Sequence, residues 1–164
     1  MTENRCNTVL VAYSALPKIL KDHDLAFKTR LNSSFMSRHL RAGVSTEALV
    51  TEMLQINERK AAALTLADIV RTALTTLPEP LSEALVLRFV KGKTFQEIAL
   101  KQNVTLRTAF RRFDRARELF AAALDKLGLT ERVFADTYLT DPAIAAAVSR
   151  LDDGAYFTAK SQNG

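Results

Sequence analysis

The chain has no tryptophan, one cysteine, two histidines and five scattered glycines among its 164 residues. Each scarcity closes a door. A lone Cys6 permits neither an internal disulfide framework nor a cysteine-based zinc site, and it fits a reducing, cytoplasmic setting. His23 and His39 are too far apart for a HExxH zinc pair. Glycines at 43, 92, 128, 154 and 164 form no phosphate-cradling loop. The longest apolar run near the N-terminus, Thr8–Tyr13, is far too short to cross a bilayer. Lys18 and Lys21 follow too soon for it to be the core of a secretory leader. Asp22-His23-Asp24 has catalytic residue types, but neighbours on a helix point in different directions, so a solvated polar segment is expected. No acid–base or metal constellation survives, and the chain is expected to be neither an enzyme nor a metal or cofactor binder.

What is present is helix-forming and unevenly charged. Hydrophobic residues make up 48% and charged residues 25%, ordinary for a folded protein. The formal net charge is +5, from 23 Lys and Arg against 18 Asp and Glu. Residues 81–128 hold 10 basic and 5 acidic side chains, a local excess equal to that of the whole chain. Within it Arg107, Arg111, Arg112, Arg115 and Arg117 fall in eleven residues. Such a concentration favours a polyanionic partner, most simply nucleic acid.

Apolar residues recur at three and four throughout, so an all-α fold is expected. Residues 5–31 read as helix, with Val9, Tyr13, Leu16 and Leu20 on one face. Pro17 should kink it or start a second helix. A short piece over 34–42 should stop at Gly43. Ser45 then supplies a cap for a long helix over 46–76. There Leu49, Ile56, Ala63, Val70 and Leu77 repeat by seven beside Met53, Lys60, Ala67 and Leu74. That seam permits a homodimer through helix 46–76. Packing against the N-terminal helices is the favoured reading, because Lys60 and two alanines weaken a dimer seam.

Leu77-Pro78-Glu79-Pro80 should end this helix, since proline disfavours helix just before it. Three helices follow, over 80–90, 94–102 and 105–127. Asn103 can take the left-handed turn between the last two, and Thr105 can cap the third. On that helix Ala109, Phe113, Ala116, Phe120, Ala123 and Leu127 form an apolar stripe. Arg107, Arg111, Asp114, Arg115 and Glu118 lie opposite. Local pairing of Arg111 with Asp114 or Arg115 with Glu118 would leave most of the basic charge unbalanced. Two helices joined by a short turn, the second basic, form the helix-turn-helix pattern. Residues 129–151 should hold one or two more helices, with Asp141-Pro142 as cap and first position, and the last ten or so should fray.

The segment Leu77–Arg117 resembles the region-four DNA-binding domain of bacterial RNA polymerase sigma factors. The resemblance rests on Leu77-Pro78-Glu79, Ala84–Phe89, Gly92–Ala99, Asn103-Val104-Thr105 and Arg112–Arg117 in that order. It implies double-stranded DNA as partner, and RNA polymerase as a further one. By position it implies base-reading roles for Leu106, Arg107, Phe110 and Arg111. Thr94, Thr105, Arg112 and Arg115 would contact the DNA backbone. Asn103 stands where the family commonly has glycine, and Phe110 where it is often basic, which points to a different target sequence. Residues 1–80 have no Trp and only Tyr13, Phe27 and Phe35 as aromatics, too few for a promoter-melting domain. The plan is therefore similar to small sigma-like regulators of bacteria and phages.

The expected organisation is a helical region over 1–77, a helix-turn-helix domain over 78–128 and a helical extension over 129–164. The expected function is sequence-specific regulation of bacterial transcription. A sigma-like module that binds protein without reading DNA, and a phage protein that marks a DNA site, are the alternatives.

Overall fold

The structure, a computed structural model, describes residues 1–37 and 45–152. Every regular element among them is helical: α1 (Glu3–Ser37), α2 (Thr46–Thr75), α3 (Glu79–Leu85), α4 (Phe95–Lys101), α5 (Leu106–Lys126), α6 (Glu131–Thr137) and α7 (Pro142–Asp152). A single π-helical turn, Val86–Val90, prolongs α3. The stop expected at Gly43 and the frayed C-terminal end lie outside the described residues.

Proline does not divide the first helix. α1 runs unbroken through Pro17, and residues 34–37 belong to it instead of starting a separate helix. The missing Pro17 N–H deprives only the Tyr13 carbonyl of its partner, and the ring stands exposed on the solvent side. Neighbouring turns are held by burial. Cys6, Val9, Leu10, Val11, Ala12, Leu16 and Ile19 are all buried, so the first turns are covered on more than one face.

The long second helix meets α1 along the expected seam. Ala63, Ala67, Val70 and Leu74 are buried, as is Leu77 just beyond the helix end. Towards its start, Leu49, Met53, Ile56 and Lys60 are half-buried. Lys60 Nζ reaches Asp24 Oδ1 at 2.5 Å, and Arg30 reaches Glu52 at 2.7 Å. The seven-residue repeat is thus satisfied within the chain.

One large core joins buried residues of α1, α2, α3, α5 and α6 with Ile144 of α7. A smaller one, of Ala84, Leu87, Ile98, Ala99 and Ala109 with Phe95 and Val104 against it, holds the helix-turn-helix together. α1 packs on α2, α7, the π turn and α5, so the arginine-bearing helix is backed by the N-terminal helices.

His23 is not the solvated residue expected from its polar neighbours. Its side chain is only 14% exposed, and Nε2 lies 3.5 Å from Asp141 Oδ2, itself 9% exposed. Asp141 meanwhile caps α7, its Oδ1 accepting from the N–H of Ala143 at 2.8 Å and of Ile144 at 3.3 Å. Packing of α7 on α1 shields both groups, and the local sequence cannot report that. Pro142 follows the cap at the first helical position, as expected.

Candidate nucleic-acid interface

The site is assembled from short-range signals. Thr94 starts α4 with a reciprocal capping box. Its Oγ1 accepts from the Glu97 N–H at 3.2 Å, and Glu97 Oε2 accepts from the Thr94 N–H at 2.7 Å. Lys93 adds an ion pair to Glu97 at 2.9 Å. The Thr94 backbone bond, with Lys93 and the Thr94 hydroxyl, holds the Glu97 carboxyl down from 4.5 to about 2. A depressed folded-state value contributes stability that is present above the unfolded value and lost as pH falls through the folded one. Relative to Glu97→Gln, which keeps the cap without the charge, the native chain should therefore lose stability between about pH 4.5 and about pH 2. Urea midpoints across that range check this; a gap that does not change with pH would contradict it.

Asn103 turns the chain with φ of 50°, the one positive value among described non-glycine residues. Around it the Val104 N–H donates to the Ala99 carbonyl at 2.9 Å. The left-handed conformation is costly for a residue with an ordinary Cβ, by roughly 1–2 kcal/mol. Asn103→Ala should lower stability by about 1 kcal/mol, and Asn103→Gly should not, as chemical denaturation would show.

Thr105 caps α5, accepting from the Thr108 N–H at 3.2 Å. The helix then buries Ala109, Phe113, Ala116, Phe120, Ala121 and Leu124. Two positions of the expected stripe differ. Leu127 is the C-cap and is 40% exposed, and Ala123 is half-buried; Ala121 and Leu124 take their places. The core curves around the end of the helix, so the buried face shifts there by a residue or two.

The outward face carries the arginines, and the structure separates them. Arg107 and Arg111 are exposed and form no ion pair among the described residues. Arg115 pairs with Glu118 at 2.7 Å, as local spacing allowed. Asp114 pairs with Arg117 at 3.1 Å instead of Arg111. Arg117 also lies 5.4 Å from the Phe113 ring. Arg112 is half-buried and donates to Gln102 Oε1 at 3.0 Å. Gln102 in turn donates to the Pro80 carbonyl at 2.8 Å and Glu83 Oε2 at 3.1 Å. This clasp ties α5, α4 and α3 together. Neither propensity nor periodicity signals it, because its partners are 10 to 22 residues apart.

The other expected positions are also on the page. Leu106 is 41% exposed and Phe110 44% exposed. Phe110 packs on Phe95, ring centroids 4.3 Å apart, and Phe95 and Phe113 lie edge to face at 5.0 Å. Arg88, which sequence reasoning passed over, lies 5.0 Å above the Phe95 ring and donates to the Lys93 carbonyl at 3.0 Å. Phe110 is thus covered in part by Phe95 and otherwise open to solvent. Thr94 and Thr105 are exposed at the starts of α4 and α5, their hydroxyl oxygens engaged as caps.

Residues 67–120 match the family model for sigma-70, region 4. This chain carries a sigma region-four-like helix-turn-helix domain. The match covers about a third of the chain, from the last turns of α2 to Phe120 of α5, and includes the caps, the Asn103 turn and all five arginines. Neither a curated protein nor a solved structure matches the chain. Sigma region 4 domains bind DNA and RNA polymerase, and this places the region-four-like part in transcription. Among the described residues, no helix is long and apolar enough to cross a membrane.

Proposed function

We propose that the chain is a cytoplasmic, sequence-specific double-stranded DNA-binding protein that regulates bacterial transcription, with α5 in the major groove. One observation carries this reading. Arg107 and Arg111 project from the first turns of a helix whose opposite face is buried, and no acidic partner among the described residues neutralises them. In a helix-turn-helix the outward N-terminal residues of the second helix reach base edges, and arginine pairs bidentately with guanine. In this account Leu106, Arg107, Phe110 and Arg111 read bases, with the exposed part of Phe110 against thymine methyls. Thr94, Thr105, Arg112 and Arg115 meet phosphates. The guanidinium has five N–H donors, so Arg112 can hold Gln102 and still meet a phosphate. Residues 78–128 form the reading unit, and α1 and α2 brace it from behind. Selection of bound sequences from random double-stranded DNA tests the proposal. A defined site enriched by the native chain, and lost in Arg107→Ala with Arg111→Ala, supports it; no enrichment over random sequence counts against it.

A second reading has its own observation. A groove of about 680 Å³ runs beside the π turn, lined in part by Val86, Leu87 and Val90. Glu79, Ser82, Glu83, Lys91, Lys93 and Lys101 complete the lining. That combination suits an amphipathic helix of a protein partner such as RNA polymerase. The two readings separate on salt: phosphate contacts are lost steeply as salt rises, and an apolar groove is not.

A further inference from the structure

The first two turns of α5 carry two kinds of outward side chain. Arg107 and Arg111 are one turn apart, and so are Leu106 and Phe110, which makes two rows side by side on the helix. All four are exposed. Phe110 is also braced. Its ring packs on Phe95 with centroids 4.3 Å apart. Arg88 lies 5.0 Å from the centre of the Phe95 ring and donates to the Lys93 carbonyl at 3.0 Å. A single exposed leucine is ordinary on a protein surface. A leucine and a braced phenylalanine in one row, beside two arginines with no ion pair among the described residues, make a shaped surface.

The chemistry of a DNA groove limits what the apolar row can meet. Base edges in the major groove present hydrogen-bonding groups and one apolar substituent, the C5-methyl group of thymine. An apolar side chain pressed on a donor or acceptor strips away its water and gives nothing back, which costs free energy. The methyl group is what Leu106 and Phe110 can cover without that loss. Cytosine methylated at C5 carries the same group at the same ring position. On the groove edge, thymine and 5-methylcytosine then differ only in the neighbouring exocyclic group, an oxygen against an amino group. Leucine and phenylalanine neither donate nor accept hydrogen bonds, so this row senses the methyl and not the group beside it.

We propose that Leu106 and Phe110 form a subsite for the 5-methyl group of pyrimidines, so that methylation of a target cytosine at C5 strengthens binding. The proposal rests on the reading that α5 lies in the major groove. It goes further in making the chain responsive to a chemical mark on DNA as well as to base sequence. Covering one methyl-sized group is worth about fourfold in affinity. That increment adds to the sequence-independent affinity from phosphate contacts and does not depend on salt in the same way.

Replacing thymine by deoxyuridine deletes the methyl and leaves every hydrogen-bonding group and phosphate in place. Each thymine of the selected duplex is replaced in turn, and affinity is measured for the full native chain, Leu106→Ala and Phe110→Ala. At one or two thymines the native chain should lose about fourfold, and at least one variant should lose nothing further at the same pair. Leu106 is exposed at the first residue of α5, so its variant stays informative even where Phe110→Ala is unstable. A second set of duplexes separates the two sources of the methyl. With that thymine–adenine pair changed to cytosine–guanine, methylating the cytosine at C5 should raise native affinity about fourfold and leave the variant unchanged. Native binding that depends on Arg107 but ignores every thymine methyl overturns the subsite and leaves the DNA-binding reading standing. An equal methyl effect in the native chain and both variants overturns it too, because the methyl is then read elsewhere. A response to thymine without one to 5-methylcytosine overturns the sensing of cytosine methylation. No binding to any duplex overturns the groove reading and the subsite with it.

Discussion

Arg107→Ala should weaken binding to the selected site by about 1–3 kcal/mol, roughly 5- to 150-fold, while leaving affinity for random DNA almost unchanged. The expectation follows from position. Arg107 stands at the second residue of α5, exposed, with no carboxylate to hold it back. Its energy belongs to a base edge if the helix enters the groove as a recognition helix does, and the variant should relax preference at one or two base pairs. Arg115→Ala should behave differently. That side chain lies two turns further on and is shared with Glu118, so its contribution is charge offered to the backbone. Its loss should weaken cognate and random DNA alike and reduce the salt dependence. Parallel titrations of both variants on both DNAs distinguish the roles; equal effects of the two substitutions on the two DNAs would contradict the assignment.

Phe113→Ala should lower the unfolding free energy by about 3–5 kcal/mol, the range for removing a buried aromatic ring. Phe113 is 9% exposed, stacks on Phe89 with ring centroids 6.0 Å apart, and meets Phe95 edge to face at 5.0 Å. It therefore joins α5 to the π turn and to α4 at once. A loss of this size is a large share of the 5–15 kcal/mol that typically holds a domain. Phe110→Ala removes a ring of the same size that is half in solvent, and should cost no more than about 1–2 kcal/mol. Urea denaturation of the two variants gives the comparison. Equal midpoints would mean that the Phe95–Phe110 contact carries as much of the fold as the Phe89–Phe113 stack. DNA binding by Phe113→Ala should be recovered at low temperature if the ring supports the site without touching the ligand.

The contrast between these two phenylalanines shows what a sequence reveals. Ser45, Thr105 and Asp141 each cap the helix expected of them, because a cap is decided within three residues. Asn103 adopts its left-handed turn for the same reason. The spacing of Ala109, Phe113, Ala116 and Phe120 marks the buried face of α5 without any knowledge of what covers it. Periodicity fails where the covering element matters. It does not show that α7 shelters His23, that α1 survives Pro17, or that the α2 seam closes on α1. Nor does it show which arginines are occupied. Five look alike along the chain, yet Arg112 is clasped by Gln102, Arg115 and Arg117 are paired, and Arg107 and Arg111 form no ion pair among the described residues. The candidate site was thus legible as a set of positions, and its division of labour depends on contacts between elements.

The central claim is that the arginine face of α5 holds double-stranded DNA. Its most direct test is the affinity of the full chain for its selected duplex as monovalent salt is raised. Neutralising two phosphates through Arg112 and Arg115 predicts a straight fall of log K with log salt, with a slope of roughly −2 or steeper, and a shallower slope for Arg115→Ala. A flat line, or no binding even at low salt, would contradict it and turn attention to the groove beside the π turn.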